Sequence, residues 1–387
     1  MKTIFKNNKA LFTLLICCLV SRILTTIYYI EDTDSLRFAL SINDYDITKL
    51  QPHFPGYPIF CFFAKILYFF TNSFAVSFSI LGALSIFSIT FFMLKIIDVE
   101  FQTFKGALLA GLVFLNPLFW LLSNRYMPDL MGLAFTISAF YFLYNENNHG
   151  KKFPVGFFLS GILAGVRLSY LPTLLVPFFY KLFISTRKSY LALSFFAGCL
   201  VWLIPFIWVT GIENLLNAAM KQTHGHFSDF GGTIITESNL FIRFLMVIKS
   251  IWADGLGGYW IGRSWQTSIL SFLMLYVFYL GLGDLSKWKN KRYFLLILSF
   301  MVSYGLWILF FQNVIYKSRH ILPLLIPAII VLHHGSCLLL DKKSTISKMI
   351  LCVFFIFFSK ITIVLVLQHK SPSAISKVKD HLINQNN

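Results

Sequence analysis

Apolar runs alternate with short polar loops along nearly the whole chain. Runs at 9–30, 72–97, 106–123, 130–144, 153–170, 171–184, 190–210, 267–282, 293–311, 321–340 and 346–368 approach the roughly 20 residues a helix needs to cross a bilayer. They predict an all-α, polytopic transmembrane helical bundle of about eleven spans. The run at 57–70, about fourteen residues, carries Lys65 and is too short to span comfortably, so it reads as an interfacial helix on the outer face. An amphipathic segment follows at 240–252, and the longest polar stretch, 211–237, reads as an exterior loop. Without a repeat at fixed period or a soluble domain, residues 1–370 read as one integral-membrane domain and 371–387 as a polar, flexible tail.

Composition agrees with this pattern. The chain is 57% hydrophobic and 13% charged, more apolar than a soluble core of this length absorbs. Its net charge of +17 would suit nucleic acid in a soluble protein. Here no basic stripe sits on a soluble domain, so the expected partners are membrane lipids and not nucleic acid. The short basic loops (Lys95 and Lys105, Lys151 and Lys152, Arg187 and Lys188, Lys287 to Arg292, Lys342 and Lys343) fall on one side of this threading. That is the positive-inside tendency, and reading 57–70 as a full span would reverse it. Lys2, Lys6 and Lys9 before an apolar run are similar to a signal peptide. Arg22 interrupts the run and no small-residue cleavage site follows, so an uncleaved first span is expected. All six cysteines lie in apolar stretches without metal-ligand spacing, which argues against a disulfide framework.

Against only 16 acidic residues in 387, the cluster Glu31, Asp32 and Asp34 just after the first span stands out. Carboxylates at a bilayer edge are costly, so their placement is a functional clue. The threading brings them to the same face as Arg125 to Asp129, the loop His224 to Thr233, and Tyr316 to His320, with Arg167 near the outer end of its span. Acids beside cations suit a reaction in which a carboxylate takes a proton while an anionic leaving group departs.

Four segments, in this order, carry a family resemblance: Asp34-Ser35 after the first span; Pro52-His53-Phe54-Pro55-Gly56-Tyr57-Pro58; Asn116-Pro117 before Tyr126-Met127-Pro128-Asp129-Leu130; and Arg319-His320-Ile321-Leu322-Pro323, with His320 where the family has Tyr. Across roughly residues 10–330 the chain resembles the C-type glycosyltransferase superfamily, which includes protein O-mannosyltransferases and lipid A aminoarabinose transferases. No counterpart of the large C-terminal domain of some branches is expected.

The resemblance implies inverting transfer of a sugar from a polyprenyl-phosphate donor to a glycan, lipid or protein acceptor, at the extracytoplasmic face of the cell inner membrane. It implies Asp34 as the base, and Asp129 to orient the acceptor or help hold a metal. Arg319, Lys317 and Arg167 would hold the donor phosphate, since Arg offers a bidentate fork and Lys a point charge. A divalent cation stays open, because some branches hold one and others none. Each residue also has a plain structural reading. Asp34 and Asp129 could cap helices; Arg319 and Lys317 could snorkel to the interface; Arg167 could sit in a structural ion pair. His53 reads equally as a turn residue or a substrate contact. His224, His226 and Asp229 belong to a glycine-rich loop that could close over substrate, bind metal or do neither. A transporter or lipid-linked-sugar flippase is the alternative activity; it would place charges near the midplane, often at broken helices, with inverted repeats. A non-catalytic assembly scaffold is a third.

Overall fold

The computed structural model describes residues 2–145, 154–283, 291–342, 344–372 and 376–378. Lys151, Lys152, Lys287, Lys289 and Lys343, and most of the tail, lie outside the described residues. The protein is an all-α polytopic bundle, with no strand among the described residues. Its helices are α1 (Lys2–Leu24), α2 (Thr33–Asn43), α3 (Pro58–Thr71), α4 (Phe74–Ile97), α5 (Phe104–Phe114), α6 (Pro117–Asn124), α7 (Asp129–Asn145) and α8 (Val155–Arg167). After a 3₁₀ stretch, Leu168–Leu174, come α9 (Leu175–Ile184), α10 (Lys188–Thr210), α11 (Ile212–His224), α12 (Leu240–Lys249) and α13 (Trp265–Gly283). The last are α14 (Lys291–Ile297), α15 (Tyr304–Phe311), α16 (Leu322–Asp341) and α17 (Thr345–Lys370).

Among the described residues seven helical stretches are long and apolar enough to cross a membrane, or eight if the bent pair α5–α6 is one span. The expectation of about eleven spans is therefore larger than length and hydropathy support alone. One of the seven, Val155–Ile184, is 30 residues long. Its ring contacts show that it reverses: the Phe157 and Phe178 centroids lie 4.5 Å apart, where continuous helix would separate them by roughly 30 Å. The reversal falls at Leu168–Leu174, where Pro172 removes a backbone donor. Helix α10 then runs beside α8 so closely that a Cβ on Gly161 would lie 2.2 Å from the Phe195 carbonyl oxygen.

The expected span at 106–123 is broken. Helices α5 and α6 meet at 55°, because Pro117 has no N–H to continue the ladder and Asn116 restarts it by capping Phe119 N at 3.0 Å. The break frees carbonyls in the apolar interior, and Arg22 of α1 fills that need. Fully buried, Arg22 donates to the Phe114 carbonyl at 2.8 Å and lies 3.9 Å over the Trp120 ring. A buried Arg with no carboxylate beside it among the described residues is thus explained by a helix C-terminus and two aromatic faces.

These contacts set the acidic segment. Asn124 Nδ2 donates to the Arg22 carbonyl at 2.8 Å, Thr26 pairs with Ser79 of α4 at 2.9 Å, and the Tyr126 hydroxyl donates to the Ile27 carbonyl at 3.0 Å. The ends of α1 and α6 are thereby fixed together, bringing residues 31–34 and 125–129 to one end of the bundle. The end of α17 closes on the same place: the Tyr29 hydroxyl donates to the His369 carbonyl at 2.6 Å, and His369 meets Glu31 at 3.1 Å. Helix α3, 14 residues, packs Phe60 and Ala64 inward and exposes Phe62, Phe69 and Phe70, the pattern of a helix lying along an apolar boundary.

Candidate functional site

The N-cap of α2 is Asp32, whose carboxylate accepts from Ser35 N at 2.8 Å. The capping role considered for Asp34 therefore belongs to its neighbour, and Asp34 is left in the first turn with its side chain free to face inward. Glu31 and Asp32 are held together by Arg125, at 2.9 and 2.7 Å. They are ion-paired and partly exposed.

Asp34 faces three cations and a histidine. Its Oδ2 lies 2.6 Å from Arg319 Nη2 and 3.0 Å from Lys317 Nζ; its Oδ1 lies 3.6 Å from Arg37 and 4.0 Å from His53 Nδ1. Burial alone would raise its pKa, but Lys317, Arg319 and His53 outweigh burial and hold the carboxyl well below the usual carboxylate range. Arg319 is brought there by the 3₁₀ turn Ser318–Ile321 that opens α16, and Asp32 also reaches it at 3.6 Å. Asp34, Lys317 and Arg319 share the wall of a cavity of about 1160 Å³ with His53, Arg167 and His320. Phe54, Trp307 and Phe311 supply apolar wall.

Arg167, the last residue of α8, meets Asp129 at 2.8 Å. It also approaches His320 Nδ1 at 3.4 Å and the Tyr57 hydroxyl at 3.5 Å. Asp129 begins α7 and is fully buried. It sits behind Arg167 and does not line the cavity, so it acts on a bound molecule through the Arg167 guanidinium and, by its charge, through Arg319.

The proline-rich segment is a rigid corner. Gly56 has φ +83°, and a Cβ there would lie 2.6 Å from the Phe206 ring and 2.8 Å from the Tyr45 hydroxyl. Tyr57 follows with φ 48°, a left-handed conformation costly for a bulky residue. The corner directs the Tyr57 hydroxyl to His53 Nε2 at 3.2 Å. Burial pushes His53 down to about 4, against the pull of Asp34. Because its folded pKa lies below the ordinary 6.5, the unfolded chain binds more protons between those values. Stability contributed by neutral His53 is complete above pH about 6.5 and is lost as pH falls toward 4, on the order of 3 kcal/mol. Thermal unfolding in detergent across pH 4–7 checks this; His53→Asn is expected to flatten the slope, and an unchanged slope refutes the assignment.

The glycine-rich loop is split. His226 lines the cavity, and its Nε2 lies 2.7 Å from the Phe311 carbonyl. His224 and Asp229 are exposed, pair with each other at 3.4 Å and do not line the cavity. The pair of histidines at 224 and 226 thus diverges, and among the described residues no group of three or more His, Cys, Asp or Glu could hold a metal. Asp34 and Asp129 face cations instead of each other. These residues do not form a divalent-cation site.

Arg243 of α12 fastens this loop. Fully buried, it donates to the carbonyls of Gly232, Leu309 and Gln312 at 2.5, 2.6 and 2.8 Å, joining the loop to the C-terminal end of α15. Arg243→Met is expected to unfasten it, raising the rate of limited proteolysis within 225–237 at least tenfold; unchanged cleavage would show the anchor to be dispensable.

Several cavity residues were not singled out from sequence. Arg37 follows Asp34 by one helical turn, so i,i+3 spacing on α2 could have found it. The stretch 211–237, read as loop, contains α11, whose 3.6-residue apolar spacing (Ile212, Leu215, Leu216, Ala219, Met220) was the available signal.

Fold and site together define a polytopic membrane-type helical protein with an acid–cation cavity at one end of the bundle. No protein-family model and no curated protein matches the chain. Among solved structures it is similar to the archaeal oligosaccharyltransferase AglB from Archaeoglobus fulgidus, in complex with an inhibitory peptide and a dolichol-phosphate, at 11% identity and a TM-score of 0.49. The match covers 94% of this chain and 56% of that one, so the chain spans little more than half the length of that protein.

Proposed function

We propose that the protein is a membrane glycosyltransferase. It moves a sugar from a polyprenyl-phosphate donor to a glycan, lipid or protein acceptor, with inversion, at the extracytoplasmic face of the membrane. The observation that carries this reading is one carboxylate, Asp34, held between Arg319 and Lys317 on the wall of a large cavity.

The donor phosphate docks on Arg319, Lys317 and Arg167, where guanidinium forks and a point charge meet its oxygens. Asp34 accepts the proton of the acceptor hydroxyl. That oxygen forms its bond to the anomeric carbon from the opposite face as the bond from anomeric carbon to phosphate oxygen breaks. The electron pair leaves on polyprenyl phosphate, whose added charge the same cations meet. Asp129 is a positioning residue that holds Arg167 in place.

Before the donor arrives Asp34 is a weak base, because the cations that would serve the phosphate hold its pKa down. A bound phosphate shares those cations and returns proton affinity to Asp34. The base is strengthened when its substrate is in place, which favours donor binding before acceptor.

The test is to incubate purified full-length protein with a panel of polyprenyl-phosphate sugars and assay free polyprenyl phosphate. Release from at least one donor supports the proposal; no release from any, with or without added glycan, lipid and peptide acceptors, overturns it.

A further inference from the structure

Helix α11 is amphipathic, and none of its residues is buried. Ile212, Leu216 and Met220 point outward and are 63%, 57% and 64% exposed. On the other side Asn214, Asn217, Lys221 and Gln222, spaced as one helical face, line the cavity. Asn214 is partly engaged, its Nδ2 donating to the Thr210 carbonyl at 3.0 Å. Trp307 lines the same cavity, and its buried Nε1 has no hydrogen-bond partner among the described residues.

This face, with three carboxamides and one lysine, differs from the cationic cluster around Asp34. Carboxamides carry donors and acceptors side by side, which matches hydroxyl groups that both donate and accept. An indole N–H beside its own apolar ring suits a ring molecule with hydroxyls at its edge and C–H groups on its face. A polyprenyl tail would leave the amides without partners, at a cost for every group desolvated. The volume, about 1160 Å³, exceeds what one phosphate needs.

We infer that the α11 face and Trp307 form a binding subsite for a polyhydroxylated sugar, beside the phosphate-binding floor. The inference rests on the transferase reading for its biological role, but sugar binding here does not depend on catalysis. The sugar comes either from the donor or from a glycan acceptor, and the chemistry is shared.

The experiment uses full-length protein in an amine-oxide detergent, since maltoside headgroups would compete, on a printed array of soluble oligosaccharides. Wild type is expected to be retained on at least one sugar, and Asn217→Ala with Gln222→Ala to lower retention about tenfold. Leu216→Ala, on the outward face, and Asp34→Asn are expected to keep it. Retention by Asp34→Asn without transfer separates this inference from the catalytic one. A second arm adds citronellyl phosphate mannose: displacement of the oligosaccharide assigns the subsite to the donor's sugar, and joint binding assigns it to the acceptor. No retention on any sugar, retention untouched by the paired amide variant, or preference for a peptide array overturns the inference.

Discussion

Asp34→Asn is expected to lower sugar transfer by about 10²–10⁴-fold, the range for losing a positioned general base, while the folded protein survives. Asn keeps the shape and one acceptor oxygen, so Arg319 and Lys317 keep a hydrogen-bond partner. What disappears is the negative charge that competes with phosphate for them. The same variant is therefore expected to bind citronellyl phosphate more tightly than wild type, measurable by isothermal titration. Tighter binding with lost turnover is a combination that simple misfolding does not produce. Full turnover in Asp34→Asn would end the base assignment. A parallel loss of turnover, affinity and melting temperature would make Asp34 a structural counter-ion.

Much of this arrangement is legible in the sequence, because the features that place Asp34 and Arg319 are local. An acidic segment after an apolar run, and a basic segment before a proline-interrupted one, put charges at helix ends whatever the packing. The helical class follows from run length for the same reason. Partner choice is another matter. Asp32 rather than Asp34 caps α2 because the helix begins two residues earlier than a cap at Asp34 would give, and helix termini are the least determined part of any pattern. Buried Arg22 and Arg243 find backbone carbonyls instead of carboxylates, which depends on where other helices break. His224 and His226 sit two apart in sequence yet face different ways, because a π-helical turn, Gly225–Asp229, replaces the extended geometry that would have aligned them. The α11 face was missed because 211–237 is polar on average, and averaging hides a helix with one polar side.

Asp129 and Arg167 form the pair whose disruption is expected to cost the fold most. Their side chains are 0% and 6% exposed and 2.8 Å apart. Replacing Asp129 by Ala strands a buried guanidinium, an error worth about 3–5 kcal/mol in comparable pairs. Arg167→Met strands the carboxylate and is expected to cost a similar amount. The double variant, Asp129→Leu with Arg167→Met, removes both charges and fills similar volume, so thermal stability in detergent is expected to return most of the way to wild type. Transfer is not expected to return with it, since the cavity then lacks one of the cations proposed to hold the donor phosphate. Stability and activity part company only if Asp129 acts through Arg167 and Arg167 acts on the donor. A double variant no more stable than either single variant would show that the pair does not hold the fold. One that regained transfer would remove Arg167 from the phosphate site.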